Sequence, residues 1–393
     1  MALPRVEIQV QNGGLGRVAN TDDAVVGLVL GGIAATNLAQ NVAARVFSVA
    51  GAEVLGIGAT THAAAHEQIV AFYDSVGGDA PLWIVLVPDT TTASAVVATN
   101  GPLEKVLAAA GGAVTLAGFS IKRAAGYAPG SGWLDYDIET VAAAAQLLAA
   151  RFASSFAPVR IVLEGSYLNA TKLNAGDALP VLRGIGERVS VFVGAENAGD
   201  RHAAMGRLLG WLAADSVEAN AGKVKRGAFA GVGYLTTGVG VDSYVTSQMA
   251  SLHDAAIMTF RRYVGVGGVY ISDDPTLAAT TSDFTSLARG RVIDKAIRLT
   301  YLTYVNEIND TIEITPKGTL SPTKVSYLEE RIENALRLRM TALGNISSAR
   351  CLIDPAQDVL ATDQIVIEVR IIPLGYLKEI VVKLGFENPA QNA

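Results

Sequence analysis

Four histidines, His62, His66, His202 and His253, are the first residues to weigh as ligands or bases. His62 and His66 lie four apart, a spacing that puts two imidazoles on one helical face and suits a metal. Glu67 follows the pair instead of falling inside it, and Ala63, Ala64 and Ala65 add no ligand. The stretch therefore reads as an ordinary helix start. Gly-Xaa-Gly recurs at Gly56-Ile57-Gly58, Gly231-Val232-Gly233 and Gly238-Val239-Gly240. A dinucleotide site needs its glycines directly after a strand and an acidic residue further on. The stretch at Gly56 comes nearest but lacks the third glycine, and no Gly-Lys-Ser/Thr phosphate loop exists. Gly130-Ser131-Gly132 is not a nucleophile elbow, and Gly165-Ser166 reads as a loop after a strand. Cys351 reads as a small core residue, Asp273-Asp274 as a turn before Pro275, and Arg261-Arg262 as a solvated face. No group assembles into a catalytic constellation, so neither enzyme chemistry nor a cofactor or metal is expected.

The elements that would position such residues follow from composition and pattern. Of 393 residues 50% are hydrophobic and 17% charged, with a net charge of −6. Soluble proteins average about 25% charge. Disorder is excluded by the apolar content, and a disulfide framework by the single cysteine. The longest clean apolar run, residues 24–35, is shorter than the about twenty residues of a spanning helix, so no membrane insertion is expected. The mild acidity argues against a nucleic-acid partner. The N-terminal residues lack the basic start and apolar stretch of a secretory signal, which points to a cytosol. A chain this poor in charge is expected to bury surface against other chains.

Residues 5–11 alternate, with Val6, Ile8 and Val10 on one face, as in a half-buried strand. Gly13, Gly14 and Gly16 follow as a hinge. From 22 to 268 the pattern is α/β. Strands are expected at 25–30, 51–59, 82–87, 113–119, 159–163, 189–193 and 269–272. Helices are expected at 66–75, 103–110, 137–156 and 201–214. This predicts a helix-covered, wholly or partly parallel sheet. Asp283 is expected to cap a helix running to 308, and Ser321 a second one from Pro322 to 342, with Val325, Leu328, Ile332, Ala335 and Leu336 as its stripe. Strands are expected at 346–353, 364–372 and 377–384, the last behind the breaker Pro373-Leu374-Gly375. The fold class is thus α/β (α+β): a variable mixed-sheet middle domain and a C-terminal two-helix, small-sheet domain, with strand arms at both ends.

Three segments carry a family resemblance. They are Gly268-Val269-Tyr270-Ile271-Ser272-Asp273-Asp274, Arg289-Gly290-Arg291-Val292-Ile293-Asp294-Lys295-Ala296-Ile297, and the terminal Leu377-Lys378-Glu379-Ile380-Val381-Val382-Lys383-Leu384. With the start Leu3-Pro4-Arg5-Val6-Glu7-Ile8, their order resembles the contractile tail sheath proteins of bacteriophages and related contractile injection systems. The resemblance is clearest from 269 to 384; residues 22–265 match only in α/β character. It implies a structural subunit without catalytic residues. Such a subunit polymerises with itself as stacked six-fold rings around an inner tube protein, with baseplate and tail-end cap proteins as further partners. It would assemble in a bacterial cytoplasm and become part of a phage tail or injection particle. The implied domains are an arm and hinge at 1–20, a variable outer region at 21–268, a sheath core at 269–375 and a second arm at 376–393. Val6, Ile8 and Val10, and Ile380, Val382 and Leu384, would pack on neighbouring subunits. Gly13, Gly14, Gly16, Pro373 and Gly375 would be hinges. Lys324, Arg331, Arg337 and Arg339, on the helix from Pro322, would face an acidic inner tube. The competing readings are an α/β oxidoreductase-like enzyme with a C-terminal oligomerisation domain, and a shell or surface-lattice protein.

Overall fold

The computed structural model describes residues 23–385 apart from 230 and 232. The expected first strand and its hinge, including Val6, Ile8, Val10, Gly13, Gly14 and Gly16, lie outside the described residues. The chain enters through β1 (Val26–Gly31) and β2 (Ala43–Val46), then α1 (Val49–Val54) and α2 (Ala63–Val76), to β3 (Leu82–Val87). Helices α3 (Ala93–Val97) and α4 (Pro102–Ala109) lead to β4 (Leu116–Ser120), α5 (Ile138–Ser154) to β5 (Arg160–Glu164), and α6 (Ala170–Ala175) to β6 (Val189–Phe192). The short β7 (Gly194–Ala195) and β8 (Tyr234–Leu235) flank α7 (Met205–Ala214). Helix α8 (Thr246–Asp254), β9 (Ile257–Met258) and the hairpin of β10 (Phe260–Tyr263) and β11 (Val266–Ile271) follow. The last part holds α9 (Leu287–Tyr304), α10 (Pro322–Leu336), β12 (Ile346–Leu352), α11 (Val359–Thr362) and β13 (Glu368–Pro373).

Seven strands form one sheet in the order β2-β3-β1-β4-β5-β6-β9. Only β2 runs antiparallel to its neighbour; the other pairings are parallel. Helices cover both faces of a parallel sheet, which is why Leu82 to Val87 and Leu116 to Phe119 are apolar without alternation. Helix α7 lies against α2 because Gly206 and Gly210 have no side chain: a Cβ on Gly206 would sit 1.9 Å from the Gln68 carbonyl oxygen.

A second core joins Val292, Ala296 and Leu299 of α9 to all five expected stripe residues of α10 and to Ile346, Cys351 and Ile353. Strands β12 and β13 pair antiparallel beside it. Val269, Ile271, Leu277 and Leu287 pack in the larger core instead.

Three expectations need correction. Residues 51–59 are no strand: Ser48 Oγ accepts the Gly51 N–H at 3.1 Å, which starts α1, and the chain turns at Gly56 with φ 94°. A capping hydroxyl outweighs a weak apolar pattern. Asp283 does not cap α9. Ser286 precedes its first residue, and the helix gives way to a tighter turn at Val305–Glu307. Its Ala288 N–H donates at 2.9 Å to the carboxylate of the distant Asp274. Residues 377–384 pair with no strand among the described residues. An extended pattern without a neighbour has nowhere to send its N–H and C=O groups but solvent.

Candidate assembly site: the seam, the small unit and the arm

Helix α9 reads as two faces in one sequence. Val292, Ala296 and Leu299 serve the small core, while Arg291, Asp294, Lys295 and Arg298, at helical spacing, address the base of the large sheet. Arg160, at the start of β5, is buried and donates from Nε to Asp294 Oδ2 at 2.6 Å and from Nη2 to Oδ1 at 3.0 Å. Arg188 Nη1 reaches the same Oδ1 at 2.9 Å. A planar guanidinium matches a carboxylate in this forked way, and burial makes the pair depend on its geometry. Arg160 also donates to the Glu187 carbonyl at 2.7 Å and to the Gly290 carbonyl at 2.9 Å. Gly290 is a glycine for this reason: a Cβ there would lie 2.4 Å from Arg160 Cζ. Arg298 donates to the carbonyls of Val114, Pro158 and Gly112, just ahead of β4 and β5. Lys295 Nζ meets Asp23 Oδ2 at 2.6 Å and Asn345 Oδ1 at 2.9 Å. The seam between the units is therefore polar, densely hydrogen-bonded and built on one helix, although Arg291 Nη1 and Arg298 Nε are buried without a hydrogen-bond partner.

Beside it, the Asp273-Asp274 pair is buried and hydrogen-bonded, where the sequence suggested simply a turn. Asp274 accepts Ser286 Oγ at 2.8 Å as well as the Ala288 N–H. Burial, then the charge of Asp273, pushes its carboxyl up to about 7. Burial would also raise Asp273, but hydrogen bonds from His253 (3.3 Å), Lys378 (2.7 Å) and Asn220 (2.7 Å) outweigh it and hold that carboxyl well below the usual range.

Among the four cations expected to face a partner tube, two are already engaged. Lys324 Nζ meets Glu307 at 3.0 Å and Asp310 at 3.4 Å, and Arg331 also pairs with Glu307. Arg337 donates to Asn334 in its own helix at 2.9 Å, and Arg339 makes no ion pair among the described residues. Glu329 and Glu333 face inward, accepting the N–H groups of Ile353 (2.9 Å) and Cys351 (2.7 Å). They thereby occupy backbone donors at β12 that β13 leaves free. The opposite edge, that of β13, has no neighbouring strand among the described residues.

The strand β13 ends at Pro373, and Gly375 is exposed. Beyond it Ile380, Val382 and Leu384 are 75%, 68% and 93% exposed, and Leu377 and Val381 are exposed with them. Sequence reasoning missed Tyr376 and Lys378, which fasten the root of this segment, and the partners of Asp294. A lone tyrosine or lysine carries no signal until the fold shows what it touches.

At the carboxyl ends of β4 and β5, where open α/β sheets bind ligands, a cleft of about 580 Å³ is lined by Lys122, Arg123, Tyr167, Arg201 and His202 among others. Arg123 is committed to Asp135 and to the carbonyls of Asp89 and Thr91. Burial lowers the His202 imidazole, and no serine or cysteine lines the cleft with it. His62 bonds Thr61 and the Ile33 carbonyl while His66 meets Glu53, so the two do not converge. Among the described residues no three His, Cys, Asp or Glu side chains gather as a metal site. No described helix is long and apolar enough to cross a membrane.

A helix-covered mixed sheet, a two-helix unit with a small sheet and a trailing apolar segment make up the fold of contractile sheath proteins. The helical sheath of the anti-feeding prophage in its contracted state superposes with a TM-score of 0.64 at 16% identity, over 98% of this chain and 100% of that one. The contracted sheath complex of the extracellular contractile injection system PVC gives 0.64 at 14%, over 100% and 99%. A chain of the six-fold symmetrised anti-feeding prophage baseplate gives 0.64 at 16%, over 99% and 100%. The chain belongs to the DUF2586 family, whose N-terminal domain matches residues 3–275 and whose C-terminal domain matches 283–391. No curated protein matches it by sequence.

Proposed function

We propose that this chain is the structural subunit of a contractile sheath. Copies stack as six-fold rings around an inner tube, and the tube of rings shortens and widens to drive the inner tube through a target envelope. The observation that carries the reading is the exposure of Ile380, Val382 and Leu384 on a segment without a strand partner among the described residues. It follows β13, whose outer edge has no neighbouring strand among the described residues, and an unpaired strand and an open edge satisfy each other between copies. Each side chain is worth roughly 1.5–3 kcal/mol on burial, and each ladder hydrogen bond about 1 kcal/mol. That is the same order as the ~1–2 kcal/mol per residue needed to order the arm. A single exchange is then weak, and strength comes from repetition.

Val6, Ile8 and Val10 would act likewise from the other end, with 1–20 and 376–393 as arms, 21–268 outside and 269–375 as the core of the ring. Gly13, Gly14, Gly16, Pro373 and Gly375 would let rings turn while strands stay paired. Arg337 and Arg339 are the cations left for an acidic inner tube once Lys324 and Arg331 are spent on Glu307. Reversing both charges should weaken assembly on that tube at low salt. Electron microscopy of the purified full chain tests the reading. Long tubes support it; flat lattices would indicate a shell protein, and small closed oligomers would favour an enzyme.

A further inference from the structure

We infer that Tyr376 and Lys378 form a two-point clasp, anchored on the Glu218 carbonyl and on Asp273, that fixes the direction and the face with which the C-terminal arm leaves the body. The inference rests on the sheath reading for its purpose but not for its geometry. After Pro373 the chain crosses from the small sheet back to the seam. There Tyr376 Oη donates to the Glu218 carbonyl at 2.8 Å, with the Arg289 guanidinium 5.8 Å from its ring. Two residues on, Lys378 Nζ lies 2.7 Å from Asp273 Oδ2. Residues two apart share a face in an extended chain. Holding 376 and 378 against the body therefore sets the phase of 380, 382 and 384, the apolar positions of the arm.

The two ends of the clasp differ in kind. Asp273 is immobilised: Asn220 bonds Oδ1, His253 from the end of α8 shares Oδ2, and Asp274 next to it caps α9. The Lys378 side chain is half exposed. A fixed anchor and a solvated tether make an ion pair that orients the arm yet lets go when a neighbour takes it, and that salt weakens.

The test uses the unassembled full chain with Cys351→Ala, carrying spin labels on Val381→Cys and Glu330→Cys. The distance between them reports where the arm points. The parent should give one narrow distance distribution. Lys378→Ala with Tyr376→Phe should broaden it roughly twofold, as expected when both surface tethers go, and raised salt should act in the same direction. Lys378→Arg should restore the narrow distribution, which a merely structural defect would not permit. A parent distribution already broad, or one unchanged in the double variant, overturns the clasp. Microscopy of the same parent protein without labels is read separately. A narrow, clasp-dependent distance in a protein that never forms tubes leaves the clasp standing and removes the sheath reading.

Discussion

Asp294→Ala is the sharpest perturbation of the seam. The aspartate accepts two bonds from Arg160, whose side chain is 1% exposed, and one from Arg188. Its removal leaves a buried guanidinium facing a methyl group. Breaking a buried pair in this way costs about 3–5 kcal/mol. Arg160 keeps the Glu187 and Gly290 carbonyls, and Arg188 can turn to solvent, so a loss near ~3 kcal/mol is expected. The loss falls on the joint between two cores, so it should uncouple them. Trp83, Trp133 and Trp211 all belong to the large unit, so tryptophan fluorescence follows that unit alone and far-ultraviolet circular dichroism follows both. In the parent the two denaturant curves should coincide. In the variant the dichroism curve should begin to fall first. Asp294→Ala with Arg160→Met should recover part of the loss, because the buried guanidinium goes with its carboxylate, while Arg188 and the Glu187 carbonyl still lose a partner. A variant within ~1 kcal/mol of the parent, with coincident curves, would refute the idea that this pair holds the units together.

Glu164 accepts the N–H groups of Ile121 and Ala203 and the Ser120 hydroxyl, yet burial pushes its carboxyl up to about 7. The folded state then holds a proton that the unfolded state has released, so stability should fall as pH rises from about 4.5 to about 7. Glu164→Gln should flatten part of that slope in melting temperatures taken across the window; Asp274, raised in the same direction, should keep the rest. Ile332→Ala empties a fully buried site in the small core and should cost about 2–5 kcal/mol, seen by circular dichroism before tryptophan fluorescence. The Cys351 thiol, raised by burial, should react with a thiol reagent only as fast as the small unit opens; labelling of the native protein at the rate of a free thiol would contradict its place in that core.

The parts of the fold that were legible are those where local pattern and tertiary demand agree. Leu82 to Val87 is apolar throughout because both faces are covered, and it forms β3 with the expected limits. The stripe from Val325 to Leu336 has helical spacing, a preceding Ser-Pro and a following Gly344 with φ 75°, and it packs as expected. Misreadings arose where a remote partner decides. Asp273 and Asp274 look like a turn because Asn220, His253, Ser286 and Lys378 come from four other segments. The Arg160–Asp294 pair spans 134 positions, and no spacing rule reaches that far. The start of α7 is set back to Met205 because the Ala203 N–H is taken by Glu164. Residues 377–384 read as a strand behind a breaker, yet they pair with no strand among the described residues, since pattern alone does not show whether a partner strand is in reach.

The claim that the C-terminal arm joins copies of this chain is tested most directly by truncation after Lys378, which keeps the contacts of Tyr376 and Lys378 with the body, with assembly followed by sedimentation and electron microscopy. The full chain is expected to form tubes. The truncated chain is expected to keep the parent's unfolding curve, because Ile380, Val382 and Leu384 contribute nothing to either core, and to sediment as single subunits. Tubes of normal appearance from the truncated chain would contradict the account.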